Sequence, residues 1–142
     1  MTELSRQIAD AAADAVETSR AVGGGELDYT EDSLAHVEGV LEQLTAARDE
    51  LNETQLSTIA QEFGCYILEV GRRAFGGRYC WFDHRGQPVL VVGEPNFRVA
   101  MITWDKVRAR LTGDKADNIP FFYAGFAEHA RRAESGDDAL YV

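Results

Sequence analysis

Cysteine, proline and long apolar runs are scarce in this sequence. Its 142 residues include two cysteines, Cys65 and Cys80, which are too few for a disulfide framework, and we expect both thiols to be reduced. No apolar run approaches the roughly 20 residues of a membrane span. The first 22 residues carry four acidic side chains and no uninterrupted apolar stretch, which argues against a secretory signal. We therefore expect a cytoplasmic protein.

Positive charge is also scarce, and its shortage is confined to the first half of the chain. Residues 1–69 hold three basic and fifteen acidic side chains, whereas residues 70–142 hold eleven and nine, and the whole chain has a net charge of −10. An acidic surface repels nucleic acid and anionic membranes. Two interpretations stay open: solvated helix faces that pair partly with the basic stretch, or an acidic surface that docks a basic protein partner.

The length and an apolar fraction of 45 % are those of one globular domain. We predict an N-terminal helical arm over residues 1–22, ended by glycines at 23–25, and a single globular α+β domain over residues 26–142. The apolar stripe of the arm is mostly alanine, which contributes little burial per residue. The arm is therefore either loosely attached or docked closely through its small side chains.

Helical periodicity predicts two further helices before the middle of the chain. One begins at Thr30 as its N-cap, and a long one covers residues 53–75, where Asn52 and Gln55 form a capping pair. Gly64 and Gly71 fall on one seam of the long helix. Mid-helix glycines cost roughly 1 kcal/mol each against alanine, so we expect another element to pack closely against them.

Three strands and two short helices complete the predicted order, αααβββαα. The alternating segments 78–83, 88–92 and 97–102 are joined by short turns, which predicts an antiparallel meander. Thr103 is expected to cap the fourth helix, and the last helix is expected to start near Pro120. The fold class is α+β, with helices packed on a three-stranded antiparallel meander.

The sequence offers little for metal or cofactor chemistry, and we expect neither. Cys80, Asp83 and His84 are close in sequence, but Cys80 points across the strand from Asp83 and no spaced ligand pair exists. The glycines at 23–25 precede Glu26 and Asp28, whose charges repel a phosphate.

Arginines cluster around one glutamate at the end of the long helix. Glu69 lies three and four positions before Arg72 and Arg73, which brings opposite charges together on one helical face, and Arg78 follows on the next strand. This pattern predicts either an ion pair that anchors the helix or a binding cluster formed by Glu69, Arg72, Arg73 and Arg78.

Phe121 does not fit the apolar face of the last helix. On a helical wheel it lies well outside the arc formed by Phe122, Tyr123 and Phe126. The tail at residues 140–142, the first helix or a partner chain could cover it. We expect an internal cover and also retain Phe121 as a candidate binding residue.

The middle of the chain resembles a family of uncharacterised small bacterial domains. The residues that carry the resemblance are Leu27-Asp28-Tyr29 with Ser33-Leu34, Gly64 and Tyr66, Glu69, Arg72-Arg73, Gly76-Gly77 before an aromatic strand, and Phe122-Tyr123. The resemblance implies a compact α+β domain and brings no catalytic activity.

The expected function is therefore a non-enzymatic, acidic protein-binding domain, for example an immunity-type or regulatory protein. Its partner is expected to be a protein, and a partner with a basic surface would suit the acidic chain. Neither nucleic acid nor membrane is expected as a ligand, and a homodimer stays open. The alternative is an enzyme or small-ligand-binding domain with a pocket near Glu69, Arg72 and Arg73.

Overall fold

The structure is a computed structural model that describes residues 2–142. Within this range the elements follow the order αααβββααβ, so the α+β class is confirmed. The helices are α1 (Glu3–Ala21), α2 (Leu34–Ala46), α3 (Glu53–Phe75), α4 (Trp104–Leu111) and α5 (Ile119–Arg132), and the strands are β1 (Arg78–Phe82), β2 (Gln87–Val92), β3 (Arg98–Met101) and β4 (Asp138–Tyr141).

The sheet has the strand order β1-β2-β3-β4. The first three strands form the expected antiparallel meander, with Cys80 opposite Val89 and Val91 opposite Ala100. A fourth strand runs parallel to β3 and places Ala139 beside Val99. The sheet is therefore mixed, and the predicted three-stranded sheet and element order are corrected.

The additional strand is held by contacts that are distant in sequence. The N–H of Arg98 donates to the carbonyl of Asp137 (2.7 Å), and the N–H of Ile102 donates to the carbonyl of Tyr141 (3.0 Å). The ring of Tyr141 packs edge-on against Phe126, with centroids 6.3 Å apart. A four-residue strand depends on such partners, which is why its own sequence did not predict it.

The first helix packs along α3, the closer of the two arrangements left open for it. Ile8, Ala12 and Ala15 are buried in the same core as α3 and the inner face of the sheet. The Ser19 hydroxyl donates to the carbonyl of Gly25 (3.1 Å), which fixes the chain where the helix ends. Small side chains thus permit close contact between the two helices.

The long helix α3 is buried on two sides, as its glycines predicted. A Cβ added to Gly64 would lie 2.5 Å from Cδ1 of Trp104, and one added to Gly71 would lie 2.7 Å from Cε of Met101. Asn52 and Gln55 form the predicted capping box. Both glycines therefore allow α4 and the sheet to approach the helix backbone.

Two helix starts differ in detail from the prediction. The Thr30 side chain caps a short 3-10 turn at residues 31–33, and α2 begins only at Leu34. The Thr103 side chain does not cap α4: its buried hydroxyl is directed toward α3, where it donates to the carbonyl of Gly64 (2.7 Å). The Gln87 side-chain oxygen instead accepts the N–H of Trp104 (3.0 Å).

Candidate functional site

The carboxylate of Glu69 faces inward and is fully occupied. Its side chain is 4 % exposed and accepts two hydrogen bonds from Arg72 (2.8 and 3.3 Å) and one from the hydroxyl of Tyr79 (2.6 Å). Burial acts to raise the pKa of Glu69, but the hydrogen bonds from Arg72 and Tyr79 outweigh it and hold that pKa below its ordinary value. The group is ionised and has no room for a ligand.

The other arginines of the predicted cluster lie apart. The guanidinium of Arg73 stacks on the ring of Tyr29, 3.7 Å from its centroid. Arg78 pairs instead with Glu94 (2.6 Å), which also lies 3.8 Å from Arg98. The arrangement matches the interpretation of Glu69 and Arg72 as an ion pair that anchors α3 to β1.

Tyr29, Ser33 and Tyr66, which belong to the pattern quoted above, form a further internal hydrogen-bond network. The hydroxyl of Tyr66 accepts the N–H of Tyr29 (2.8 Å) and shares a hydrogen bond with the hydroxyl of Ser33 (2.7 Å). Tyr29 has a φ of +68°, which is unusual for a residue with a side chain, and these contacts hold it there. The pattern thus has a structural explanation that requires no bound ligand.

Phe121 is exposed, contrary to the internal cover that we expected. Phe121 lies in the first turn of α5 and is 79 % accessible. Its backbone N–H donates to the side-chain oxygen of Asn118 (2.9 Å). The C-terminal segment that could have covered it is engaged in β4. Exposing a phenylalanine forgoes roughly 1.5–3 kcal/mol of burial.

A cleft of about 600 Å³ opens beside Phe121, between residues 31–34 and α5. We call it the α5 cleft; its lining residues are Glu31, Asp32, Leu34, Pro120, Tyr123, Ala124, Ala127, Glu128, Arg131 and Arg132. Phe121 is not one of the lining residues, but it directly follows Pro120 and lies one turn before Ala124, so it borders the cleft along α5.

One wall of the α5 cleft is fixed by internal bonds. Glu31 accepts a hydrogen bond from the hydroxyl of Tyr123 (2.6 Å) and pairs with Arg131 (2.5 Å). Burial and the bond to Glu31 raise the pKa of Tyr123, so its hydroxyl remains a donor. Among residues 2–142, Asp32 and Glu128 form no ion pair within 4.0 Å, which leaves two carboxylates available at the surface.

The sequence indicated only part of this site. The helical wheel identified Phe121, and the sequence shows the acidic pair Glu31 and Asp32 directly after the predicted N-cap Thr30. The cleft itself was missed because its two walls are about ninety residues apart along the chain. In the sequence, residues 31–34 and α5 each have the pattern of an ordinary solvated surface.

Residues 2–142 contain no group of three or more His, Cys, Asp or Glu side chains arranged to hold a metal ion. None of the helices in that range has the length and apolar character needed to cross a bilayer.

Comparison with protein-family models, curated proteins and solved structures found no match. The resemblance to small bacterial domains therefore stays a prediction.

Proposed function

We propose that the chain is a non-enzymatic protein-binding domain that docks a basic partner at the α5 cleft, with Phe121 as the apolar anchor. The observation that carries the proposal is the 79 % exposed Phe121 beside a cleft whose lining includes the apolar residues Leu34, Ala124 and Ala127. Buried aromatic anchors dominate the binding energy of protein interfaces. An immunity-type or a regulatory role would both use such a surface.

Charge supports a basic partner at two levels. The chain carries a net charge of −10, which steers a basic protein toward it. The unpaired carboxylates of Asp32 and Glu128 lie in the cleft, where they can meet lysine or arginine side chains of the partner. The lining also contains Arg131 and Arg132, so acidic side chains outnumber basic ones there by three to two. The alternative, a ligand pocket at Glu69, is not favoured because that carboxylate is enclosed and fully bonded.

A crosslinking experiment can identify the partner at this surface. Phe121 is replaced by a photo-crosslinking phenylalanine derivative in the native cell, and the captured protein is then purified. Its affinity is measured for wild type, Phe121→Ser, Glu128→Lys and, as a control for net charge, Asp10→Lys on the exposed face of α1. We expect Phe121→Ser and Glu128→Lys to weaken binding about tenfold or more, and Asp10→Lys to change it little.

The proposal is wrong if Phe121→Ser binds the partner as tightly as wild type does. Equal losses for Glu128→Lys and Asp10→Lys would also contradict it, because the partner would then respond to net charge and not to the cleft. Thermal unfolding of each variant shows whether the fold is intact.

A further inference from the structure

A second cleft, of about 260 Å³, lies between α1, α3 and the two tryptophans of the chain. We call it the tryptophan cleft. Its side walls include Ala11 of α1 and Gln61 of α3, and its far wall is Trp81 with Trp104. An apolar cavity of about 150 Å³ already takes up benzene, so this space suits one aromatic ring with a short substituent.

The lining of the tryptophan cleft contains no charged residue. Cys65 contributes no charge either, because burial raises the pKa of its thiol to about 11 and the neighbouring Trp104 offsets only part of that rise. In a chain with 27 % charged residues, an entirely uncharged lining favours an uncharged ligand. The amides of Gln7 and Gln61 are the polar groups at its sides.

One polar group in this region lacks a strong partner. Among residues 2–142, the indole Nε1 of Trp104 is a buried side-chain donor with no hydrogen bond of regular geometry, and its interaction with the Cys65 thiol, which lowers the pKa of that thiol, is with a weak acceptor. Leaving such a donor without a strong acceptor is unfavourable, and a ligand that brings an acceptor would recover part of that cost. The nitrogen is closed to water, so an acceptor reaches it only when a side chain that lines the cleft moves.

Trp81 is suited to act as a movable wall. Its side chain is 49 % exposed and contacts Trp104 edge-on, with ring centroids 6.1 Å apart and planes at 78°. Offset or edge-on contacts with a third ring are favourable for aromatic side chains. We propose that the tryptophan cleft binds an uncharged aromatic molecule that carries a hydrogen-bond acceptor, with its ring against Trp81 and its acceptor on the indole N–H of Trp104.

Nuclear magnetic resonance tests the proposal directly, because the chain has two indole N–H signals and both come from this cleft. The full chain is titrated with methyl benzoate, with ethylbenzene, which has a similar shape but no acceptor, and with benzoate, which is charged. We expect methyl benzoate to shift the Trp104 signal in a saturable way. Ethylbenzene should bind about two- to tenfold more weakly, which is what one neutral hydrogen bond provides, and benzoate more weakly still.

Two variants separate the acceptor bond from simple filling of the cleft. Trp104→Phe keeps an aromatic ring but removes the N–H, so the preference for methyl benzoate over ethylbenzene, followed on the Trp81 signal, should disappear. Ala11→Leu should fill the cleft and weaken both ligands, whereas Ala13→Leu on the exposed face of the same helix should not.

The proposal is overturned if methyl benzoate causes no saturable shift up to its solubility limit, or if benzoate binds as well as the ester. It is also overturned if Trp104→Phe retains the preference for the ester. This test uses a surface separate from the α5 cleft, so its outcome is independent of the proposed protein partner. Thermal melting shows whether each variant is folded. If Ala11→Leu does not fold, the result for Trp104→Phe decides the test.

Discussion

At the residue scale, Glu69 is the charged candidate that turns inward, whereas Arg78 is 57 % exposed and the apolar candidate Phe121 turns outward. The spacing of Glu69 and Arg72 correctly indicated an ion pair. It could not indicate which way the pair faces, because that depends on Tyr79 arriving from β1 to donate the third hydrogen bond. For Phe121 the helical wheel was sufficient, since its own helix provides no cover.

Glu69→Gln should lower the free energy of unfolding by about 1–3 kcal/mol at pH 7, because it removes the charge that Arg72 and Tyr79 bond. The folded pKa of Glu69 lies below its ordinary value of about 4.3, so the contribution is complete above that pH and is lost as pH falls through the folded pKa. Urea unfolding should therefore show the difference between wild type and variant shrinking at acidic pH.

Glu17→Gln is the matched control, because Glu17 pairs with Arg20 at the surface and should change stability by less than about 1 kcal/mol. A Glu69→Gln variant as stable as wild type at pH 7 would contradict the anchoring role.

At the element scale, the sequence predicted the helices and the first three strands well because their signals are local. The capping pair at Asn52 and Gln55 defined the start of α3, and short turns defined the meander. The fourth strand escaped because its signal lies in β3 and α5, where Arg98, Phe126 and His129 hold it. The side-chain cap expected at Thr103 is absent for the same reason, since packing against α3 directs its hydroxyl toward Gly64.

Gly64→Ala should destabilise the protein by about 1–3 kcal/mol, although alanine favours a helix. The new methyl group would meet the rigid ring of Trp104, and overpacking of this kind carries a cost of that size. Gly39→Ala in α2 is the matched control: its Cβ meets nothing within 4 Å, so the same substitution should stabilise by about 0.4–1 kcal/mol. Urea midpoints that move in the same direction for both variants would contradict the close packing of α4 on α3.

At the scale of the whole molecule, the acidic first half and the more basic second half are joined by ion pairs. Glu38 of α2 accepts from the guanidinium of Arg110 in α4 (2.6 Å) and from the N–H of Ile119 at the start of α5 (3.0 Å). One carboxylate thus links three helices. The interpretation of acidic faces that pair partly with the basic stretch holds for this residue.

Arg110→Met should lower the free energy of unfolding by about 3 kcal/mol, because Arg110 is 3 % exposed and its loss leaves Glu38 unpaired at a helix junction. Arg108→Met in the same helix removes an ion pair with the exposed Glu53 and should cost less than about 1 kcal/mol. Chemical unfolding of the two variants gives the comparison. If both variants lose similar free energy of unfolding, the buried pair of Glu38 and Arg110 stabilises the fold no more than an exposed ion pair does.

Neither cleft could have been predicted from the sequence, for a reason of scale. The α5 cleft needs Glu31 and Arg131, which are a hundred positions apart, and the tryptophan cleft needs α1 to settle beside Trp104. Periodicity describes one element at a time, whereas a cleft is a property of the gap between elements.

Tyr29, Tyr66 and Glu69 form their hydrogen bonds within the fold, so their spacing reports how a chain folds and not what it binds. Another chain with the same polar spacing should bury it in the same way, so the spacing is a signature of shared architecture and carries no information about chemistry. Two such chains could bind unrelated molecules while sharing every residue of the pattern. Their divergence in activity should be sought at outward positions such as Phe121, which the architecture leaves free to vary.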